Sequence, residues 1–364
     1  MNGNSIGKAF KVTSFGESHG RCVGAIIDGC PAGLKLDTEK IQRDLDRRKP
    51  GQSTITTARR EEDKLEIISG VLNEFTTSAP ICMLTWNKDV ISSGYEQRRF
   101  TVRPGHADYT AFMKYGGFED YRGGGRFSAR ITTGFVMAGA LAKQLLSLLN
   151  IEILAHTVEI GGIKAREMSV DDIRKNTETN EARCADSETA KKMIERIKQV
   201  RLEKDSLGGL VEGIALNVPV GLGEPVFDNL DSELAKALFA IPAVKAVEFG
   251  LGFQSSRLKG SENNDIFVMK KGKIVTKTNN SGGILGGLSN GMPIVVKVGF
   301  KPISSIPKEQ KTINMKEMKE TEIKSIGRFD PCPVPRAIPI VESMMAIVLC
   351  DFALRSQLIP RVIK

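Results

Sequence analysis

The chain has 364 residues, long enough for a large buried core, with 41% hydrophobic and 26% charged residues. Its six cysteines are scattered with no C-x-x-C pair, which argues against a zinc or dithiol site, and we expect a cytoplasmic chain with free thiols. The net charge is +9, yet no basic tail or helical stripe of the nucleic-acid-binding kind is present; many arginines instead flank glycine or proline, where they suit carboxylates and phosphates.

The first predicted strand, "AFKVTSF", leads through "GESHG" into a second, "CVGAIIDG", and Gly16 and Gly20 permit tight turns around Ser18 and His19. Taken alone this loop reads as a solvated hairpin tip, although a histidine there can also move a proton near neutral pH. Asp37 is an expected N-cap for the next helix. That helix closes in the basic run holding Arg47, Arg48, Lys49, Arg59 and Arg60, and "GQSTITT" within it reads as a mobile loop, the pattern of a lid over an anion. In "VRPGHADYTAF", Arg103, His106 and Asp108 lie within six residues. There an arginine can hold an anion that the histidine protonates, while Asp108 caps a helix.

"YRGGGRFSARITTG" places Gly123, Gly124 and Gly125 between Arg122 and Arg126, with Ser128 and Arg130 following. Successive glycine N–H groups at a helix start can cradle an anion, although the P-loop and G-x-G-x-x-G patterns both fail. Long helices near 135–149 and 338–356 are apolar nearly all round, which demands cover on every side. The second is interrupted by Glu342 and Asp351, so it reads as a buried helix rather than a bilayer span. His156, in the strand "EILAHTVEI", fits no motif and is expected to be structural. Residues 164–204 read as a peripheral insertion whose helix turns Ala190, Met193, Ile194 and Ile197 to one face. Further on, Asp231 is a second expected N-cap, "FKPISSI" sets Lys301 beside Ser304 and Ser305 in an anion-binding turn, and "GRFDPCPVPR" carries Arg328, Asp330 and Arg336.

Two stretches echo each other without gaps: "ESHGRCVGAIIDGCPAGL" from Glu17 and "DSLGGLVEGIALNVPVGL" from Asp205. A second echo aligns "GVLNEFTTSAPICML" with "GILGGLSNGMPIVVK", and a third aligns the two apolar helices. Three echoes in one order predict an internal duplication, with halves of about 7–150 and 205–357 in a single domain spanning 1–364. The predicted class is α+β, a β-α-β layered sandwich with central helices between antiparallel sheets.

As a set, "GESHG", "DRRKPGQS", "RPGHADYTAFMKYG", "YRGGGRFSAR", "GLGEPVFDNLD", "NNSGGILGG" and "GRFDPCPVPRAIPIVESM" resemble, in order, the motifs of chorismate synthase from about residue 7 to residue 355. The resemblance implies a phosphate-eliminating lyase that converts 5-enolpyruvylshikimate-3-phosphate to chorismate, the last step of the shikimate pathway. It also implies dependence on reduced FMN, possible use of NADPH as flavin reductant, and a homotetramer built as a dimer of dimers, with neither nucleic acid nor membrane as partner. By the same resemblance His19 protonates reduced flavin, His106 protonates the leaving phosphate and Asp330 relays a proton. Ser18, Arg48, Arg103, Arg130 and Arg336 correspond to substrate-binding positions. Arg126, Phe127, Ser128, Pro242, Ala243, Gly286, Lys301, Pro302, Ile303, Ser304, Ser305 and Arg328 correspond to flavin-contact positions, and Arg48 and Thr54 to positions for NADPH. Phe127, Ile131, Thr54 and Phe329 depart from the family's usual residues. They motivate a second reading, a homologue that binds flavin or an anionic ligand without turnover.

Overall fold

The computed structural model describes residues 3–57, 61–88 and 95–364. Arg59 and Arg60 of the basic run lie outside the described residues. The principal elements are β1 (Lys11–Gly16), β2 (Cys22–Asp28), α1 (Thr38–Arg48), β3 (Glu66–Ser69), β4 (Ile81–Trp86), α2 (Asp108–Tyr115) and α3 (Thr132–Ser147). There follow β5 (Glu152–Ile160), α4 (Ser187–Leu202), β6 (Gly209–Leu216), α5 (Leu230–Phe239), β7 (Val244–Phe249), β8 (Ile294–Phe300) and α6 (Val334–Arg355).

Two antiparallel five-stranded sheets enclose the long helices. One runs β1-β2-β4-β3, with Ser5–Ile6 added beside β1; the other runs β5-β6-β8-β7, with Ile163–Lys164 added beside β5. Both sheets have the same connectivity: two strands, a helix (α1 or α5), two strands, then a long helix (α3 or α6). The α+β layering predicted from composition and pattern is therefore the fold observed. Strand β8 alternates buried and half-buried residues, so Ile294, Val296, Val298 and Phe300 face the helices, as a period-two pattern requires.

Helix α3 packs on β1, β2 and β4, α6 packs on β5 and β6, and the two helices pack on each other. One continuous hydrophobic core runs between the sheets. The contact between the helices is close at Gly139, where a Cβ would stand 2.2 Å from Ser343 Cβ. Helix α6 is long and apolar enough to cross a membrane, but its apolar window is 94% buried within the protein.

Its two acidic residues are fully used. Asp351 Oδ1 accepts from the backbone N–H groups of Lys8, Ala9 and Phe10 at 2.6–2.8 Å. Glu342 accepts from Arg47 of α1 at 2.7 Å and Lys143 of α3 at 2.6 Å. The insertion helix α4 buries Ala190, Met193, Ile197 and Val200, with Ile194 at the margin.

Two capping expectations need correction. Asp37 caps α1 through Lys40 N, but α5 begins at Leu230, with Asn229 at its N-cap, and Asp231 accepts from the N–H of Ser232 inside the helix. The N-cap of α2 is Ala107, and the Asp108 side chain turns away from the helix. The loop after α1 is also not loose. Thr57 donates to Asp330 and to Arg328 O, Thr54 is bound by Glu181, and Gln52 is bound by Arg183. Polar side chains that read as a mobile loop find partners brought from more than 120 residues away.

Candidate active site

The "GESHG" hairpin is tight because Gly16 sits at φ +86°, and a Cβ there would lie 2.1 Å from Cys22 O. Asn87, at the end of β4, fastens the loop by donating to Glu17 O (3.0 Å) and Gly20 O (2.9 Å). Ser18 N donates to Gly125 O at 3.3 Å. Far from being a solvated tip, the loop is buried: Ser18 is 1% and His19 8% exposed. Tyr95 meets the His19 ring edge-on at 5.1 Å.

The glycine triplet lies between the two histidines of the motif set. Gly123, Gly124 and Gly125 have φ of +58°, +83° and +49°. A Cβ on Gly123 would stand 2.2 Å from His19 Cδ2, and one on Gly124 would stand 3.2 Å from His106 Cε1. The expected role was an N–H cradle. The geometry adds a different use, in which missing side chains let the backbone pass between two imidazoles.

His106 stands in a second polar cluster. Its Nδ1 lies 2.7 Å from Asp108 Oδ1 and 3.2 Å from Arg103 Nη2. Asp108 also accepts from Arg103 Nε at 2.8 Å and Nη2 at 2.7 Å. Burial pushes the Asp108 carboxyl up, but the hydrogen bonds from Arg103 and His106 outweigh it and hold it well below the usual carboxylate range. The "KPISS" turn docks on the same loop: Lys301 Nζ donates to Gly105 O at 2.6 Å, and Arg103 Nη1 donates to Ser305 Oγ at 3.1 Å.

The other arginines gather around two aspartates. Asp63 pairs with Arg48 through one oxygen and with Arg130 through the other. Burial raises the Asp63 carboxyl, but the two guanidinium groups bring it down to about 2. Burial lowers the Arg48 guanidinium to about 10, despite the opposing charge of Asp63. Asp330 pairs with Arg336, whose Nε donates to Arg48 O at 3.0 Å. Arg130 Nε donates to Asn87 Oδ1 at 2.9 Å, which ties this cluster to the "GESHG" loop. Among the described residues, Ser18 Oγ, Arg48 Nε and Arg130 Nη2 are buried without a hydrogen-bond partner, although Arg130 Nη2 lies 3.8 Å from Glu61 Oε2 in an ion pair.

A cleft of about 850 Å³ brings most of the predicted site residues together. His19, Arg103, His106, Arg126, Phe127, Ser128, Pro242, Ala243, Lys301, Pro302, Ile303, Ser304, Ser305, Arg328 and Asp330 all line it. Ser18, Arg48, Arg130 and Arg336 are not among its lining residues, the first three being buried and Arg336 half-buried, while Gly286 sits in the separate Ile284–Ser289 hairpin. Thr54 is held at the insertion by Glu181, whereas Arg48 is buried against Asp63. The two positions considered for NADPH therefore do not share one open surface. Among the described residues, the lining carries six arginine and lysine side chains against one carboxylate, Asp330. Phe127 is 39% exposed and, like Phe329, lines the wall, leaving the volume open.

The volume and the cationic wall fit a phosphorylated flavin, since ligand pockets of 300–1,000 Å³ with a few convergent polar groups are usual. Asp63, Asn87 and Asp108 were not singled out as site residues from the sequence. Asp63 was hidden in a charge run, and Asn87 carries no motif. Asp108 was assigned to the helix, although its spacing two residues after His106 was a usable signal.

The chorismate synthase family model matches residues 10–354. The chain belongs to the chorismate synthase family. A chorismate synthase of Dehalococcoides mccartyi is 57% identical, with 99% of each chain covered. One from Methanococcoides burtonii is 53% identical, covering 98% of this chain and 97% of its own length. A solved structure titled "Crystal Structure of Chorismate Synthase" superposes with a TM-score of 0.76 at 30% identity, covering 96% of this chain and 93% of that one. Chorismate synthase membership accounts for the order of the motifs, and the antiparallel layers enclosing α3 and α6 agree with that likeness.

Proposed function

We propose that the chain catalyses the 1,4-elimination of phosphate from C3 and a proton from C6 of 5-enolpyruvylshikimate-3-phosphate, giving chorismate. The observation that carries this reading is the pair of histidines held on either side of one glycine turn, at the wall of a cleft rich in cations. The substrate carries two carboxylates and a phosphate, and arginines in a water-poor site favour such charge strongly.

His106 donates its proton to the departing phosphate, with Arg103 beside it to neutralise the developing anion. His19 holds a proton at the opposite side of the glycine turn, and Asp330, next to Arg336, serves as the relay. Ser18, Arg48, Arg130 and Arg336 bind the substrate's anionic groups; Ser18 Oγ and Arg48 Nε, buried without a hydrogen-bond partner among the described residues, support this, since buried polar atoms rarely lack a partner. Arg126, Phe127, Ser128, Pro242, Ala243, Lys301 to Ser305 and Arg328 would hold FMN. When bound, the reduced flavin supplies electron density that eases C–O cleavage, while the protein contributes orientation and protons.

We place the enzyme in the cytoplasm as a homotetramer, on the family resemblance. Direct use of NADPH at Arg48 and Thr54 would require both to leave their present partners, Asp63 and Glu181. Flavin-dependent oxidation of NADPH by the purified protein measures that directly.

Anaerobic incubation with chemically reduced FMN and substrate should release chorismate and phosphate in equal amounts. Absence of product with FMN demonstrably bound overturns the reading and leaves a binding homologue in its place. His106→Ala should slow turnover ~10²–10⁴-fold, the range for losing a general acid, with substrate still bound. Turnover near the wild-type rate removes His106 from the reaction.

A further inference from the structure

Asp108 has two possible employments, and the geometry separates them. It opens α2, where a carboxylate favours the helix N-terminus, yet among the described residues its carboxylate bonds Arg103 and His106 and no N–H of the helix. Its Oδ1 instead meets His106 Nδ1 and Arg103 Nη2, each at 2.7 Å, while Oδ2 takes Arg103 N at 3.0 Å and Nε at 2.8 Å. Two groups therefore compete for the His106 Nδ1 edge: a carboxylate that can only accept and a guanidinium that can only donate. The carboxylate is nearer, at 2.7 Å against 3.2 Å, so Nδ1 carries a proton. The other nitrogen, Nε2, then lies on the Gly124 side, 3.3 Å from the position a Cβ there would take.

We propose that Asp108 is the positioning residue for His106, fixing its ring and tautomer so that Nε2 is the nitrogen that gives up and regains the proton. This deepens the reaction proposed above and rests on it for the identity of the proton acceptor. In the step, the Nε2–H bond breaks and an O–H bond forms on the leaving phosphate. The neutral imidazole left behind keeps its Nδ1–H on Asp108, so the tautomer needs no rearrangement before Nε2 is protonated again. A carboxylate on the far nitrogen both orients an imidazole and favours its charged form. Arg103 from the same loop, Lys301 from the turn after β8, and Arg126 and His19 across the glycine turn line the cleft with His106. Arg98, Lys245 and Arg328 also line the cleft, with Asp330 as its carboxylate, and Glu119 and Asp120 line the adjoining pocket that His106 shares; among these groups Asp108 is the carboxylate within hydrogen-bond distance of the ring.

The chain has three histidines, which makes the test direct. Nitrogen-15 imidazole spectra of the wild type, Asp108→Ala and Asp108→Glu are recorded across pH, with buried His156 in β5 reporting that the fold is kept. The wild type should show the Nδ1–H tautomer for neutral His106. Asp108→Ala should lose that preference and reduce kcat by ~10–10²-fold with KM changed less than ~3-fold, short of the ~10²–10⁴-fold for losing the acid–base group itself. Asp108→Glu should recover part of both signals. If Asp108→Ala disturbs His156, Asp108→Asn is read in its place. An unchanged His106 tautomer in a folded variant overturns the proposal. If the wild type itself makes no chorismate, the reaction reading fails while the spectra still decide the role of Asp108.

Discussion

At Gly123 the tolerance of the site can be measured by one carbon atom. A Cβ there would stand 2.2 Å from His19 Cδ2 and 3.0 Å from Ser18 Oγ, and φ of +58° disfavours any side chain. Gly123→Ala should therefore push the imidazole out of place with little effect on the core, which lies elsewhere. Misplacing a reacting group by about 1 Å costs on the order of 10²-fold in rate. Steady-state turnover of the folded variant checks this, and activity within about threefold of wild type would show that the ring position is not critical. The same scale shows what can be read from a sequence. His19, His106 and Asp330 stand in short motifs whose neighbours announce them. Asp63 does not, because its meaning depends on Arg48 and Arg130, 15 and 67 residues away, meeting at one carboxylate. Only the fold makes that meeting.

Among the elements, α3 and α6 depend most on each other. Their apolar residues were legible from composition, since helices without a polar face must be enclosed. Their crossing point was not, because a glycine in a helix is ambiguous until its neighbour is known. Gly139 fits against Ser343, and Gly134 fits against Gly24 O, 2.4 Å from where a Cβ would be. Gly139→Val should force the helices apart and lower stability by ~1–3 kcal/mol or more, the range for overpacking a close-packed core. The urea midpoint measures the loss, and an unchanged midpoint would mean that this contact has room to relax. The loop after α1 teaches the converse. Its glycine, serine and threonine content predicted mobility, yet it meets Asp330, Glu181 and Arg183, partners that local composition does not record.

Across the whole molecule, two buried carboxylates hold distant segments together, and both make stability depend on acid. Asp63 joins the end of α1 to the segment before α3, and Glu342 joins α6 to α1 and α3. Burial raises each carboxyl, but the neighbouring cations prevail and bring each to about 2: Arg48 and Arg130 for Asp63, Arg47 and Lys143 for Glu342. In the unfolded chain both carboxyls titrate near pH 4. The folded state therefore binds fewer protons than the unfolded state as pH falls below about 5. The contribution of these pairs is complete above that pH and disappears as pH falls through about 2. A shift of roughly two units corresponds to about 2–3 kcal/mol for each group. Urea midpoints measured from pH 7 to pH 2 should fall steeply below pH 5 in the wild type. Asp63→Asn with Glu342→Gln should start lower at pH 7, because guanidinium and ammonium groups are left buried and unpaired. Its midpoint should then change less between pH 5 and pH 2. Parallel acid profiles for the two proteins would mean that other carboxylates govern acid unfolding. Arg48 and Arg130 are also the proposed substrate arginines, so in the folded protein Asp63 should stay charged between them until pH falls to about 2, while the loss of stability already begins below pH 5.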